Sequence, residues 1–121
     1  MSPRLLQLAF LAALALAWLN VIINEGLYNR EFVAEWTVGF DQLQARVLEY
    51  PPERVAEITG VPAELIVEAA RTYATHGPAC MPYGVAIDQL GLNGTRAEQC
   101  KVIMRAITGD RGTLGGHLIY R

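Results

Sequence analysis

The residues best suited to chemistry lie between Ala79 and Gly116. Ala79-Cys80-Met81-Pro82-Tyr83-Gly84-Val85-Ala86-Ile87 is short and apolar, which predicts a buried strand, or a sheet edge, over Ala79–Val85. Asp88-Gln89-Leu90-Gly91-Leu92-Asn93-Gly94 then reads as a loop. Thr95-Arg96-Ala97-Glu98 has the form of a capping box, in which the Thr hydroxyl accepts from the N3 amide and the Glu reaches back. Behind it Cys100, Ile103, Met104 and Ile107 recur at i, i+3, i+4, i+7, one apolar helix face, and Gly109 ends the helix. Strand, glycine turn and helix N-terminus, in that order, offer free backbone amides and the positive end of a helix dipole to an anion. An ordinary strand-to-helix turn has the same parts, so the order alone does not choose between them.

No nucleophile and base can be paired elsewhere. There is no Gly-x-Ser-x-Gly, no His-Glu-x-x-His and no phosphate-loop lysine. Gly109-Asp110-Arg111-Gly112-Thr113-Leu114-Gly115-Gly116 is rich in glycine but follows a helix, the reverse of a nucleotide-binding loop, and reads as a turn. Cys80 and Cys100 are too few and too far apart for a zinc or iron–sulfur set; Cys100, on an apolar face, reads as a small buried hydrophobe. His76 and His117 have no partner at ligand spacing. Asn93-Gly94-Thr95 matches a glycosylation sequon, which matters only in a secretory setting.

The elements that must position this stretch come before it. Leu5 to Ile23 holds seventeen apolar residues of nineteen and no charge, which approaches a membrane span or a signal peptide. Gln7 and Asn20 interrupt the run and Arg4 is a lone basic residue, which favours a helix buried on all sides. Asn29 can cap a short helix carrying Phe32, Val33 and Trp36, and Asp41 a second with Leu43, Val47 and Leu48 inward. Tyr50-Pro51-Pro52 breaks that helix and opens the next, which Gly60 ends. Pro62 begins another, with Leu65, Ile66, Ala69, Ala70 and Tyr73 on one face, and Gly77-Pro78 stops it. These faces read as core.

A chain of 121 residues makes one domain at most. The net charge is −2, and its nine Arg and one Lys are scattered, which argues against a nucleic-acid partner. Val55-Ala56-Glu57-Ile58-Thr59-Gly60-Val61-Pro62 has the look of a helix-turn-helix DNA reader. Its second helix, however, would meet phosphates with Glu64 and Glu68, and with Arg71 as its only cation.

Together, Gly84-Val85-Ala86-Ile87-Asp88-Gln89, Asn93-Gly94-Thr95, Ile103-Met104-Arg105-Ala106-Ile107-Thr108-Gly109-Asp110 and Leu114-Gly115-Gly116 resemble one region of the large molybdopterin oxidoreductases of the dimethyl sulfoxide reductase superfamily. Leu16 to Tyr28, Phe32 to Thr37 and Tyr50 to Ala56 resemble the family just upstream, so the likeness runs from about Ala12 to the end. It is nearest in kind to thiosulfate or polysulfide reductases and acetylene hydratase-like members. Met1 to Leu11 departs from the family pattern, as extraneous sequence or a mis-started gene would.

The resemblance implies an α/β fold class, here a mostly helical fragment of a cofactor-binding α/β domain. Its one or two short strands would be Ala79–Val85 and a second after Leu118, with the sheet completed by other sequence. Residues 1–121 would form part of one domain of a catalytic subunit several times longer, inactive alone. The Gly84–Thr95 loop would lie against a molybdopterin guanine dinucleotide carrying molybdenum or tungsten, with Gly84, Ile87, Asp88, Gln89, Asn93, Gly94 and Thr95 as contacts. No catalytic residue or metal ligand would lie on this chain, and an iron–sulfur cluster only on missing sequence. The implied partners are the remainder of the catalytic subunit and an electron-transfer subunit, without nucleic acid or membrane contact, in the cytoplasm or periplasm of a prokaryote. Two other readings stand beside this one: a standalone helical protein-interaction module, and a small membrane-anchored protein using Leu5–Ile23.

Overall fold

Alanine and leucine favour helix, and a computed structural model, which describes residues 3–81 and 94–109, forms Pro3–Asn24 into one 22-residue helix, α1. Because its apolar residues fall on every side, α1 can be covered on every side. Ala17, Leu19 and Ile22 are inaccessible to solvent, and Asn20, Val21 and Ile23 are buried between and beside them. Two core clusters grow from it. Ala15, Leu19, Ile22 and Ile23 meet Val33, Val47, Tyr73, Met104 and Ile107, while Ala13 and Ala17 meet Val55 and Ile66. No helix among the described residues is long and apolar enough to cross a membrane.

Five further helices surround this axis: α2 (Arg30–Trp36), α3 (Phe40–Val47), α4 (Pro52–Thr59), α5 (Ala63–Thr75) and α6 (Gly94–Thr108). Helices α3, α4, α5 and α6 pack on α1, and α2 touches α6. Asn29 caps α2 as expected, its Oδ1 accepting from the Phe32 amide at 3.0 Å. Pro52 opens α4, and Gly60 closes it in the left-handed region (φ 76°), where its N–H donates to the Ala56 carbonyl at 2.8 Å. Gly109 also takes the left-handed region (φ 82°) at the end of α6, its N–H donating to the Ala106 carbonyl at 3.4 Å. Helix α3 differs slightly from expectation. Gly39 adopts φ 76° and starts the helix at Phe40, so Asp41 lies inside the first turn rather than capping it.

Side-chain ties fix the helices to one another. Asn20 Nδ2 donates to the Val47 carbonyl at 2.7 Å, joining α1 to the end of α3. The Asn29 amide donates to the Ile107 carbonyl at 2.7 Å, joining α2 to the end of α6. Arg71 Nε and Nη2 donate to the two carboxylate oxygens of Glu25 at 2.9 and 2.8 Å, joining α5 to the end of α1. That bond holds the Glu25 carboxyl below the usual carboxylate range and raises Arg71. It also occupies the one cation of the supposed DNA-reading helix.

The α/β expectation is corrected: the described residues are helical, and no strand is present among them. Ala79, Cys80 and Met81, the described start of the expected strand, have no regular structure. A strand exists only through ladder bonds to a neighbour, and the described residues supply none; the Met81 carbonyl bonds instead to Arg105. Pro82 also removes a donor from this run. The rest of the expected strand and the second one after Leu118 lie outside the described residues. The expected inward faces also hold only in part. Val33, Val47, Ile66, Ala70 and Tyr73 are buried, whereas Trp36, Leu48 and Leu65 are 74%, 60% and 54% exposed.

Candidate functional site

The N-terminal turn of α6 is the described part of the expected site. Gly94 and Ala97 are buried, while Thr95 and Arg96 face solvent. The turn carries no acidic residue. Its first amides lack intrahelical acceptors, and the dipole of a 15-residue helix places positive charge there. A hydroxyl and a guanidinium at the positive end of a helix dipole together suit an oxyanion.

The capping box read at Thr95 and Glu98 does not form. The helix begins at Gly94, which puts Thr95 within the first turn, and Glu98 Oε1 accepts from Lys101 Nζ at 2.8 Å. Both side chains of this ion pair are shielded, at 16% and 13% exposure. Of the seven expected contacts the structure therefore places Gly94 and Thr95. Gly84, Ile87, Asp88, Gln89 and Asn93 lie outside the described residues.

One feature was not legible in the sequence. Arg105 Nη2, near the end of α6, donates to the carbonyl of Met81, 24 residues earlier. Ala79 and Met81 also pack against the first core cluster. The chain entering the expected loop is thus docked on the same helix that the loop leads into. No local signal marks such a contact, because caps and periodic faces reach only three or four residues.

Beside this helix runs an apolar groove of about 560 Å³ between α1, α5 and α6, lined by Leu11, Leu14, Trp18, Leu65, Met81 and Ala97 among others. Among the described residues Lys101 is its one charged wall residue, and it pairs with Glu98. The groove offers apolar contact but little to orient a polar substrate. Cys100 is half-buried, and burial pushes its thiol up, away from the nucleophilic thiolate. His76 lies at the exposed end of α5, its Nδ1 3.0 Å from Thr75 Oγ1. Among the described residues, no group of three or more His, Cys, Asp or Glu could hold a metal ion.

No family model matches the chain. It is 50% identical over 99 residues to acetylene hydratase of Syntrophotalea acetylenica, a match covering 82% of this chain and 13% of that protein. It is 41% identical over 73 residues to the thiosulfate reductase molybdopterin-containing subunit of Salmonella typhimurium, covering 60% of this chain and 9% of that protein. Among solved structures it superimposes on acetylene hydratase from Pelobacter acetylenicus with a TM-score of 0.80 and 48% identity, covering 84% of this chain and 14% of the other. The chain thus spans between 9 and 14% of the length of these relatives.

Proposed function

The chain belongs to the dimethyl sulfoxide reductase superfamily of molybdopterin oxidoreductases, and from that membership we propose that it is the cofactor-cradling segment of a molybdopterin guanine dinucleotide-dependent enzyme, inactive by itself. The observation that carries this reading is the joint match to acetylene hydratase, 48% identity at a TM-score of 0.80. The described residues fit such a group. A pterin bearing phosphates is polyanionic, and the first turn of α6 exposes Thr95 and Arg96 at the positive end of the helix dipole and carries no acidic residue. In this reading Gly94 and Thr95 bind through backbone and hydroxyl, and Gly84, Ile87, Asp88, Gln89 and Asn93 complete the contacts from the loop.

When bound, the cofactor supplies the reactive chemistry at molybdenum or tungsten. This chain's residues bind and orient it, and none of them is a metal ligand or an acid–base catalyst. We assign any iron–sulfur cluster to other sequence, because Cys80 and Cys100 are too few for one. The remainder of a catalytic subunit is the proposed partner for the exposed apolar residues Trp36, Leu48 and Leu65 and for the groove, with an electron-transfer subunit beyond it. The 50% identity to acetylene hydratase favours a second reading of the reaction, addition of water in place of electron transfer, on the same cofactor.

An immunoblot of the native source with an antibody against residues 28–75 tests the proposal. A band many times larger than 13.3 kDa, carrying molybdenum or tungsten and oxidisable to a fluorescent pterin, is the expected result. A band at 13.3 kDa alone, free of pterin and metal, refutes it.

A further inference from the structure

The turn between α3 and α4 holds two guanidiniums over one ring. Arg46 Cζ lies 5.3 Å and Arg54 Cζ 5.5 Å from the centroid of Tyr50, both within cation–π reach. Hydrogen bonds fix each of them further. Arg46 Nη1 donates to Glu49 Oε2 at 2.8 Å, and Nη2 to Tyr50 Oη at 3.4 Å. Arg54 Nη1 donates to the Glu49 carbonyl at 2.5 Å. Arg46, Glu49 and Arg54 are exposed, and Leu48, in the same turn, is 60% exposed.

The charges here do not balance. Glu49 is taken by Arg46. Among the described residues Arg54 has no carboxylate partner, although Glu53 and Glu57 stand on the same helix. One arginine would supply a cation–π contact to the ring; a second places like charge beside it, which is unfavourable in the chain by itself. What Arg54 adds is a planar fork held in position, with Nε and Nη2 unused among the described residues. Such a fork meets a carboxylate with two parallel bonds and has less side-chain freedom left to lose. Arginine and tyrosine beside an exposed apolar side chain are also the residue types that anchor protein contacts.

We propose that this turn docks a carboxylate of the remaining catalytic subunit, set beside an apolar side chain that covers Leu48; this rests on the function proposed above and names the chemistry of the surface met there. The matched relatives carry this region within a much longer chain, and the rest of such a chain is the occupant. Arg54 takes the carboxylate, while Tyr50 holds the fork and Arg46 adds positive charge on the same ring.

Two measurements test the proposal. In the 121-residue chain, arginine Nε–H signals are followed by nuclear magnetic resonance as the peptide acetyl-Glu-Leu-Glu-amide is added. Arg54 and Arg46 are expected to shift, and Arg30, alone over Tyr28 at 5.7 Å, to stay. The uncharged acetyl-Gln-Leu-Gln-amide should move none of them. Arg54→Gln should weaken binding about fivefold, with helix content unchanged. No shift at Arg54, an equal shift at Arg30, or an equal shift with inorganic phosphate at the same concentration overturns the docking. In the native source, phenylglyoxal maps accessible guanidiniums, and Arg54 is expected to react severalfold more slowly there than in the isolated chain. A large native protein in which Arg54 reacts as fast as in the chain overturns the docking and leaves the cofactor reading standing. A native band at 13.3 kDa alone removes the covering chain and refutes both.

Discussion

Asn20→Asp tests the interior of the helical assembly with almost no change of shape. Asn20 is 6% exposed inside an otherwise apolar helix. Its Nδ2 donates to the Val47 carbonyl at 2.7 Å, and its Oδ1 accepts from Asn24 Nδ2 at 3.0 Å. A carboxylate in its place has acceptors only, so two oxygens would oppose each other where a hydrogen bond now stands. The protonated carboxyl has one O–H and can restore the bond. Burial and the facing carbonyl both favour this neutral form and raise the folded-state pKa above the unfolded value of about 3.9. The variant's stability is therefore retained below about pH 4 and lost as pH rises through the folded pKa. A pKa raised by about two units costs roughly 3 kcal/mol by pH 7.

Asn20→Ala separates the charge from the bond. The Val47 carbonyl also accepts from the Tyr50 amide at 3.0 Å, so it is not left bare when the Asn20 side chain is removed. The expected loss is about 1 kcal/mol for the bond, with about 1 kcal/mol more for the space left behind, and it does not vary with pH. Urea unfolding followed by circular dichroism, with each variant compared with wild type at the same pH, cancels the titration of the other groups. A difference between wild type and Asn20→Asp that stays flat from pH 4 to 7 would mean that this side chain is solvated, and the burial argument would fail.

Gly60 and Gly109 both hold left-handed backbone, but a Cβ at Gly60 meets nothing, whereas one at Gly109 comes within 3.2 Å of Asn29 Nδ2. Gly60→Ala is expected to cost about 1 kcal/mol and Gly109→Ala about 2, measured by thermal unfolding, because the second also disturbs the cap of α2. The Glu25 carboxyl, lowered by its bond to Arg71, contributes stability above its unfolded pKa and loses it as pH falls through the folded one. Glu25→Gln should therefore melt slightly below wild type at neutral pH and level with it near pH 2, with the gap closing in molar salt. Burial holds the Cys100 thiol up while Cys80 is exposed. A thiol reagent near pH 8 should modify Cys80 quickly and the half-buried Cys100 more slowly; equal rates would contradict the packing of α6.

The legible parts of the fold were those decided within one turn of chain. The Asn29 cap, the Pro52 opening and the stops at Gly60, Gly77-Pro78 and Gly109 depend on local backbone chemistry and were read correctly. The capping box failed because Glu98 had a second local choice, Lys101 on the next turn, which the motif ignores. The strand failed for a different reason. Apolar composition describes a segment, but a strand is a relation between two segments, and no strand is present among the described residues. Arg105 and Met81 were out of reach because their contact spans 24 residues. Of the region of the candidate site, the start of a helix near Gly94 and Thr95 was legible.

Helical periodicity shows which face of a helix is apolar and is silent on what covers it. That distinction separates α1 from its neighbours. Every side of α1 near Leu19–Ile23 is covered within the chain, and the reading of this stretch as a buried helix follows from its composition. Helices α2, α3 and α5 carry apolar faces too, yet these are covered only in part. The remainder, at Trp36 and Leu65 and at Leu48 beside α3, faces water. Leaving such surface hydrated is unfavourable, by about 25 cal/mol for each Å², and these residues lie on helices whose other edges are well packed. In the proposed subunit the same residues meet the remaining sequence. The pattern that looked like one core in the sequence then serves two purposes: it closes α1 inside this segment, and it joins the segment to the protein around it.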